Sequence, residues 1–451
     1  MNLFELILKN MRQRALSTWL TLLSVALGTG LGVALLTLQR EGGKLFGQSE
    51  FGYDLVVGAK GSPLQLVLNS VYFLDQPPGI FDYAVYEDLA DGGWSEFVDL
   101  AVPLGWGDTT GGRRIIGTTP ALFELEPRLG RPITFADGKP FEADTWQAVV
   151  GSDAAEALGY GVGSTFQALH GDERTGHQHA EQWTVVGVMN PTGTAIDKAV
   201  YVSLASEAAL GEHESALRDQ QGVRRSAQQV RELYDARARE LDEAVANGGE
   251  REESHVETAD GRILTAAPPS LWRISGVLVR SKSTFAGSSL VFRINNGDRA
   301  TAAVPAEQMR TFFDTFLKGP SLLLLGVTAL VTVVAAIGIL VSIYNSVSAR
   351  RREVAILRSL GATRSKVLLV VTIEATLIGV VGAAIGLLLG HGLVALGNGL
   401  LVQYLGEGIN AWSVGVWELY YLLGVVLLAF LAGLVPALKA YGTPVAQNLS
   451  E

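Results

Sequence analysis

Four long apolar runs divide this chain: Ala15–Leu38, Ser321–Val347, Val367–Val402 and Leu419–Leu438. Each can cross a hydrocarbon core of roughly 30 Å at about 1.5 Å per helical residue. Between the first two runs the pattern changes to short alternating stretches separated by turn residues, such as Phe97–Leu104, Arg113–Gly117, Ala148–Gly151 and Trp183–Met189. Those stretches predict strands. A second strand group, Ile274–Arg280 and Leu290–Ile294, is expected to complete the same body. The expected fold is a membrane protein of four transmembrane α-helices with a large extracytoplasmic α+β domain between spans 1 and 2.

The boundaries follow from the pattern. Residues 1–40 form an interfacial helix and the first span, with Leu3, Phe4, Ile7 and Leu8 on one face beside Lys9, Arg12 and Arg14. This uncharged run is long for a signal-peptide core and has no convincing cleavage site, so it reads as a retained anchor. The outer domain takes residues 41–318. Within it, Leu64–Leu74 is unusually apolar and ends at Pro77 and Pro78. It either closes the base of the domain or, through Leu64, Leu68, Val71 and Tyr72, offers a cargo surface. Residues 205–262 are a charged insert in which Val223, Ala227, Val230, Tyr234, Ala238, Leu241 and Val245 mark one stripe of a long helix. That helix either lies on its own domain or meets a partner. A stalk helix, 304–318, leads through an expected hinge at Gly319 and Pro320 into the second span, 319–347. Then come a basic loop, 348–366, the third span, 367–402, an outer loop, 403–415, the fourth span, 416–438, and a tail, 439–451.

Charge orients this plan. Residues 41–318 carry 24 Lys and Arg against 39 Asp and Glu, whereas the loop after the second span holds Arg350, Arg351, Arg352, Arg358, Arg364 and Lys366 against Glu353 alone. Positive charge close to span ends stays inside, so the loop and both termini are expected in the cytoplasm and the acidic domain outside. Trp412, Trp417, Tyr420 and Tyr421 at one end of the fourth span and Lys439 at the other agree with that orientation. The chain has no cysteine, which excludes disulfides, thiolate metal sites and cysteine nucleophiles. A net charge of −10 argues against a nucleic-acid partner.

Small residues recur at four-residue steps in two spans. Ser24, Gly28 and Gly32 in the first, and Gly382, Gly386 and Gly390 in the third, permit close helix approach. The first set is a candidate face for a second copy, or else packs on the chain's own later spans. Glu374 is an ionisable residue inside a span and a candidate for coupling; His391 reads as a polar contact. His170, His177 and His179 have spacing that can bind zinc or copper, but beside Asp172 and Glu173 they are read as a solvated hairpin tip and no metal is assigned. Gly159, Gly161 and Gly163 follow a helix instead of opening one, so they mark a turn and not a nucleotide loop. The sequence contains no G-x-x-x-x-G-K-[ST], G-x-S-x-G or H-E-x-x-H motif. The chain is therefore expected to be non-catalytic.

The basic loop carries a resemblance. Arg350-Arg-Arg-Glu-Val-Ala-Ile-Leu-Arg-Ser-Leu-Gly-Ala-Thr363 resembles the segment after the second span in the permease superfamily of the macrolide exporter MacB, the lipoprotein-releasing permeases and the division protein FtsX. Val149–Phe166, Trp183–Leu204 and the C-terminal run from Leu431, with Pro436, Ala437, Ala440 and Pro444, are similar to the same family. The resemblance implies that Arg350, Arg351, Arg352, Glu353, Ile356, Leu357, Leu360, Gly361 and Ala362 form a coupling helix that docks on a cytoplasmic ATPase. It implies two ATPase subunits that hold ATP and Mg, no cofactor in this chain, and a second permease, a like copy or a related chain. It places the protein in the bacterial inner membrane, among lipids, with room for a periplasmic partner, moving a lipid, lipoprotein or other amphipathic cargo by mechanotransmission. The family also contains FtsX-like regulators of extracytoplasmic hydrolases, which move nothing.

Overall fold

The computed structural model describes residues 14–46, 52–74, 76–170, 177–210, 227–252, 254–349, 363–405 and 408–441, with residues 9, 11 and 12. The chain divides into two compact units. One, Phe46–Phe312 with Gln403–Glu407, is the outer domain; the other holds the spans.

The outer domain is built on a sheet of twelve strands: β1 (Leu55–Gly58), β2 (Val98–Thr110), β3 (Arg113–Thr118), β4 (Phe135–Gly138), β5 (Gln147–Val150), β6 (Thr165–Phe166), β7 (Leu169–His170), β8 (His177–Gln178), β9 (Trp183–Met189), β10 (Val200–Ser203), β11 (Gly276–Ser281) and β12 (Thr301–Ala303). Its main path runs β12-β1-β11-β2-β3-β10-β5-β9-β4, with β6 beside β9 and the β7–β8 hairpin on β2. Pairing is antiparallel except for β10 with β3 and β9 with β5. Strand alternation feeds a separate core on each face. Val56, Val102 and Leu278 enter one; Leu55, Val57, Val277 and Val279 enter the other. A third cluster gathers Ile115, Val150, Val185 and Val200 around Trp183, whose indole donates to Ser206 Oγ at 2.8 Å.

The helices that pack on or beside this sheet include α1 (Pro63–Ser70), α2 (Ser152–Leu158), α3 (Ala227–Ala246), α4 (Thr284–Asn296) and α5 (Pro305–Phe312). The Ser62 hydroxyl accepts from Gln65 N at α1's start, where Pro63 loses no helical bond. Leu66, Val67, Val71 and Tyr72 are all buried in the first core, and Leu64 and Leu68 pack half-buried against it. Of the two expectations for this segment, the burial supports closure of the domain's base, with Leu64 and Leu68 left half-exposed. α2 ends at Gly159 in the left-handed region (φ 68°), and Gly163 also has positive φ (90°), so the glycine cluster is a turn as expected.

α4 is the second correction, because Leu290–Ile294 was expected as a strand. Leu290 and Ile294 stand four residues apart on one buried helical face behind a Ser283 cap. Short apolar runs do not separate the two periods. α3 lies on its own domain: Leu241 is buried, and Arg237 Nε donates to Thr265 O at 2.7 Å. Its neighbours are three short strands, Glu250–Arg251, His255–Glu257 and Ile263–Thr265. The first part of the expected stripe, including Val223, lies outside the described residues.

The other unit contains the four expected helices, TM1 (Ala15–Phe46), TM2 (Lys318–Ala349), TM3 (Arg364–Leu405) and TM4 (Val416–Tyr441), each with an apolar stretch long enough to span. In its apolar window TM1 is 61% buried and TM2 22%, so TM1 is central and TM2 peripheral. TM2 leaves Leu322, Leu323 and Leu330 exposed, as lipid-facing positions require. Gly319 and Pro320, the expected hinge, lie within one unbroken helical run from Pro305 to Ala349, with no loop at that point. The irregularity is instead one π turn at Phe313–Leu317. The expected single-sided stalk divides likewise, with Met309 buried and Phe316 exposed.

Candidate functional site

The spans meet along two seams of small residues. A Cβ on Gly382 would stand 2.6 Å from Val25 Cγ1, on Gly386 2.5 Å from Thr29 Cβ, and on Gly390 2.7 Å from the Gly30 carbonyl. TM1 and TM3 therefore touch backbone to backbone over two turns. TM4 closes on TM3 in the same way, where Gly379 faces Ala429 and Gly433 faces Ala375. Beside this contact Glu374 is buried in TM3.

Of the candidate face for a second copy, Gly28 lies against Val331 and Gly32 against the Tyr421 ring, both within this chain. Only Ser24 is exposed, its hydroxyl donating to Leu20 O. Tyr421 ties three spans, with its hydroxyl 3.2 Å from Gly28 O and 3.1 Å from Thr332 Oγ1.

One helical turn on lies a polar network of which the sequence reading selected only His391. Glu418 Oε1 accepts from Arg40 Nη1 at 2.7 Å and Thr37 Oγ1 at 3.0 Å, while Glu41 Oε1 accepts from Arg40, Lys44 and Ser413. His391 Nδ1 lies 2.6 Å from Ala411 O, and its Nε2 lies 3.4 Å from Glu418 Oε2. Glu418 is 1% exposed, so its charge is compensated by these partners and not by water. His391 is the polar contact expected of it, and the network joins TM1, TM3, TM4 and the loop before TM4. The sequence signal was available only as single charges near span ends.

In the outer domain, a second cluster forms where the β7–β8 hairpin crosses β2. Asp108 stands opposite His170 in the antiparallel register, and His170 Nδ1 is 2.8 Å from Asp108 Oδ1. His179 N donates to Ala168 O, which brings its ring to the same place, with Nε2 3.6 Å from Asp108 Oδ2. One ligand-type atom from each of the three residues lies within 4.8 Å of the others. His170 and His179 were sequence candidates and Asp108 was not. His177 pairs with His170 in the register, but its side chain lies outside the described residues. The coupling positions Arg350–Ala362 also lie outside them.

Two family models match the chain, "MacB-like periplasmic core domain" over residues 18–232 and "FtsX-like permease C-terminal" over 325–445. The chain belongs to the MacB/FtsX family of ABC transporter permeases. An ABC transporter permease of Methanocaldococcus jannaschii is 30% identical over 139 residues, 31% of this chain and 34% of the relative. Another, from Mycobacterium tuberculosis, is 33% identical over 165 residues, 34% of this chain and 19% of the relative. The chain thus spans a minor part of the length of both. The extracellular domain of the noncanonic ABC-type transporter YknZ from Gram-positive bacteria aligns over 55% of this chain and 98% of its own, with 10% identity. Its TM-score is 0.26. The permease architecture is thus that of a multi-pass membrane protein with a periplasmic-type domain between its first two spans.

Proposed function

We propose that this permease couples ATP hydrolysis on a separate cytoplasmic ATPase to a conformational change of its outer domain. The observation that carries the reading is the basic segment Asn345–Val367, which runs from the end of TM2 to the start of TM3, in a chain whose sequence has no P-loop of its own. Two ATPase subunits hold ATP and Mg, and closure of that pair pushes the Arg350–Ala362 segment. TM2 follows, and the chain passes its displacement through Phe313–Leu317 to the outer domain. Both termini and the basic segment face the cytoplasm, by the asymmetry of positive charge. A second permease completes the assembly. Because Gly28 and Gly32 serve intramolecular packing, that contact uses other positions of the bundle surface.

The cargo class, a lipid, lipoprotein or other amphipathic compound, rests on the family resemblance alone, since the Leu64–Tyr72 segment is built into the domain core. The test is the activity of the cognate ATPase in lipid, with the wild-type permease, with Arg351→Glu and without permease. The expected result is stable association and altered ATPase turnover with the wild type, both lost on charge reversal. An ATPase that neither binds nor responds to the wild type sinks the coupling reading.

A further inference from the structure

We infer that Asp108, His170 and His179 form a binding site for a divalent transition ion of the zinc, cobalt or nickel kind, which clamps the β7–β8 hairpin to β2. Three observations carry it. First, the donor set is two imidazole nitrogens and one carboxylate, a combination that suits borderline metal ions, and the chain's lack of cysteine leaves nitrogen and oxygen as its means of holding one.

Second, the spacing is close to what one ion requires. Ligand bonds of about 2.0–2.1 Å in a tetrahedral site place donor atoms roughly 3.3 Å apart. Here His170 Nδ1 is 2.8 Å from Asp108 Oδ1 and His179 Nε2 is 3.6 Å from the other carboxylate oxygen, Oδ2, and one ligand atom from each residue lies within 4.8 Å of the others. The ligands converge from separate strands by backbone register: Asp108 and His170 are directly paired, and His179 is held opposite Ala168.

Third, exposure is graded. The Asp108 and His179 side chains are 2% and 4% exposed, whereas His170 is 50% exposed. Two ligands are thus preset in the protein, and the third stands at the surface, where an ion can enter and where water can supply a further ligand. The consequence is mechanical: an ion joins residues from three separate stretches of chain, so the hairpin is fastened to β2 when metal is present.

The experiment uses the full chain in lipid nanodiscs, freed of any histidine tag and stripped with chelator. Co²⁺ is titrated while the visible d–d absorption is recorded, Zn²⁺ is then used to displace it, and thermal unfolding is followed with and without Zn²⁺. Wild type is expected to bind about one ion per chain with the intense visible bands of a four-coordinate site. Its unfolding midpoint should rise with Zn²⁺. His170→Ala, at an exposed position with little fold to lose, is expected to weaken binding by about tenfold or more, since even changes behind a ligand cost that much. Asp108→Asn and His179→Gln should do the same, and all three variants should lose the Zn²⁺-dependent rise. Absence of metal binding by wild type overturns the proposal in favour of a hydrogen-bonded Asp–His cluster. So does binding that His170→Ala leaves unchanged, which would place the ion elsewhere.

Discussion

His255 shows how burial sets the chemistry of one side chain. It is 5% exposed, its ring stands edge-on to Trp146 at 5.4 Å, and Ser254 Oγ is 3.2 Å from its Nδ1. Burial lowers its pKa from the ordinary 6.5, against the opposing pull of Glu181, Glu252 and Glu257. The unfolded chain therefore binds a proton that the folded domain refuses, and stability rises with pH through that window. Above 6.5 the contribution is full, and it is lost as pH falls toward the lower folded value. His255→Phe keeps a ring against Trp146 and removes the titration. The unfolding midpoint of the variant should fall less than that of wild type between about pH 7.5 and 5.5; equal slopes would show that His255 does not contribute. None of this was legible in the sequence, where His255 is one polar residue in a charged insert. The same holds for Asp108. Its neighbours Gly107 and Thr109 gave no hint that a hairpin some sixty positions later would pair across it at His170.

At the scale of elements, periodicity carried most of the reading. The spans and Trp183–Met189 were legible because each has one strong period, and an unbroken apolar run in the spans or alternation in the strand leaves few alternatives. Leu290–Ile294 failed because five apolar-rich residues fit either period until Ser283 and the four-residue pairing of Leu290 with Ile294 are seen together. The glycine seams were visible as steps of four, yet the partner of each seam was not. For TM1 with TM3, Gly386→Leu drives a branched side chain into Thr29 and the Ala26 carbonyl. Overpacking of this kind costs about 1–3 kcal/mol. Gly392 has no neighbour within 4 Å of a Cβ, so Gly392→Leu in the same helix should be nearly neutral. Unfolding in graded detergent mixtures should separate the two variants, and an equal loss would count against the seam.

The whole molecule is two compact units on one chain, each with cores of its own. The clusters around Val56, Leu55 and Trp183 belong to the outer domain, and that around Ile339, Ala375 and Ala429 belongs to the spans. A segment with its own cores can fold by itself. Excised Phe46–Phe312 is expected to be soluble and to unfold in one cooperative transition by circular dichroism; aggregation or a gradual melt would show that its cores are incomplete without the spans. Sequence by itself determined the four spans, the sign of charge on the regions between them, and the membership in the permease family. These depend on local composition and short-range period, which solvent and bilayer read directly. Only the tertiary structure decided that Leu64–Tyr72 is core and not surface, that Gly28 and Gly32 pack within the chain, and that Asp108 meets His170 and His179. The physical reason is common to all three: an apolar face, a glycine or a carboxylate takes its role from what is packed against it, and those partners come from distant chain positions brought together by sheet register and helix packing.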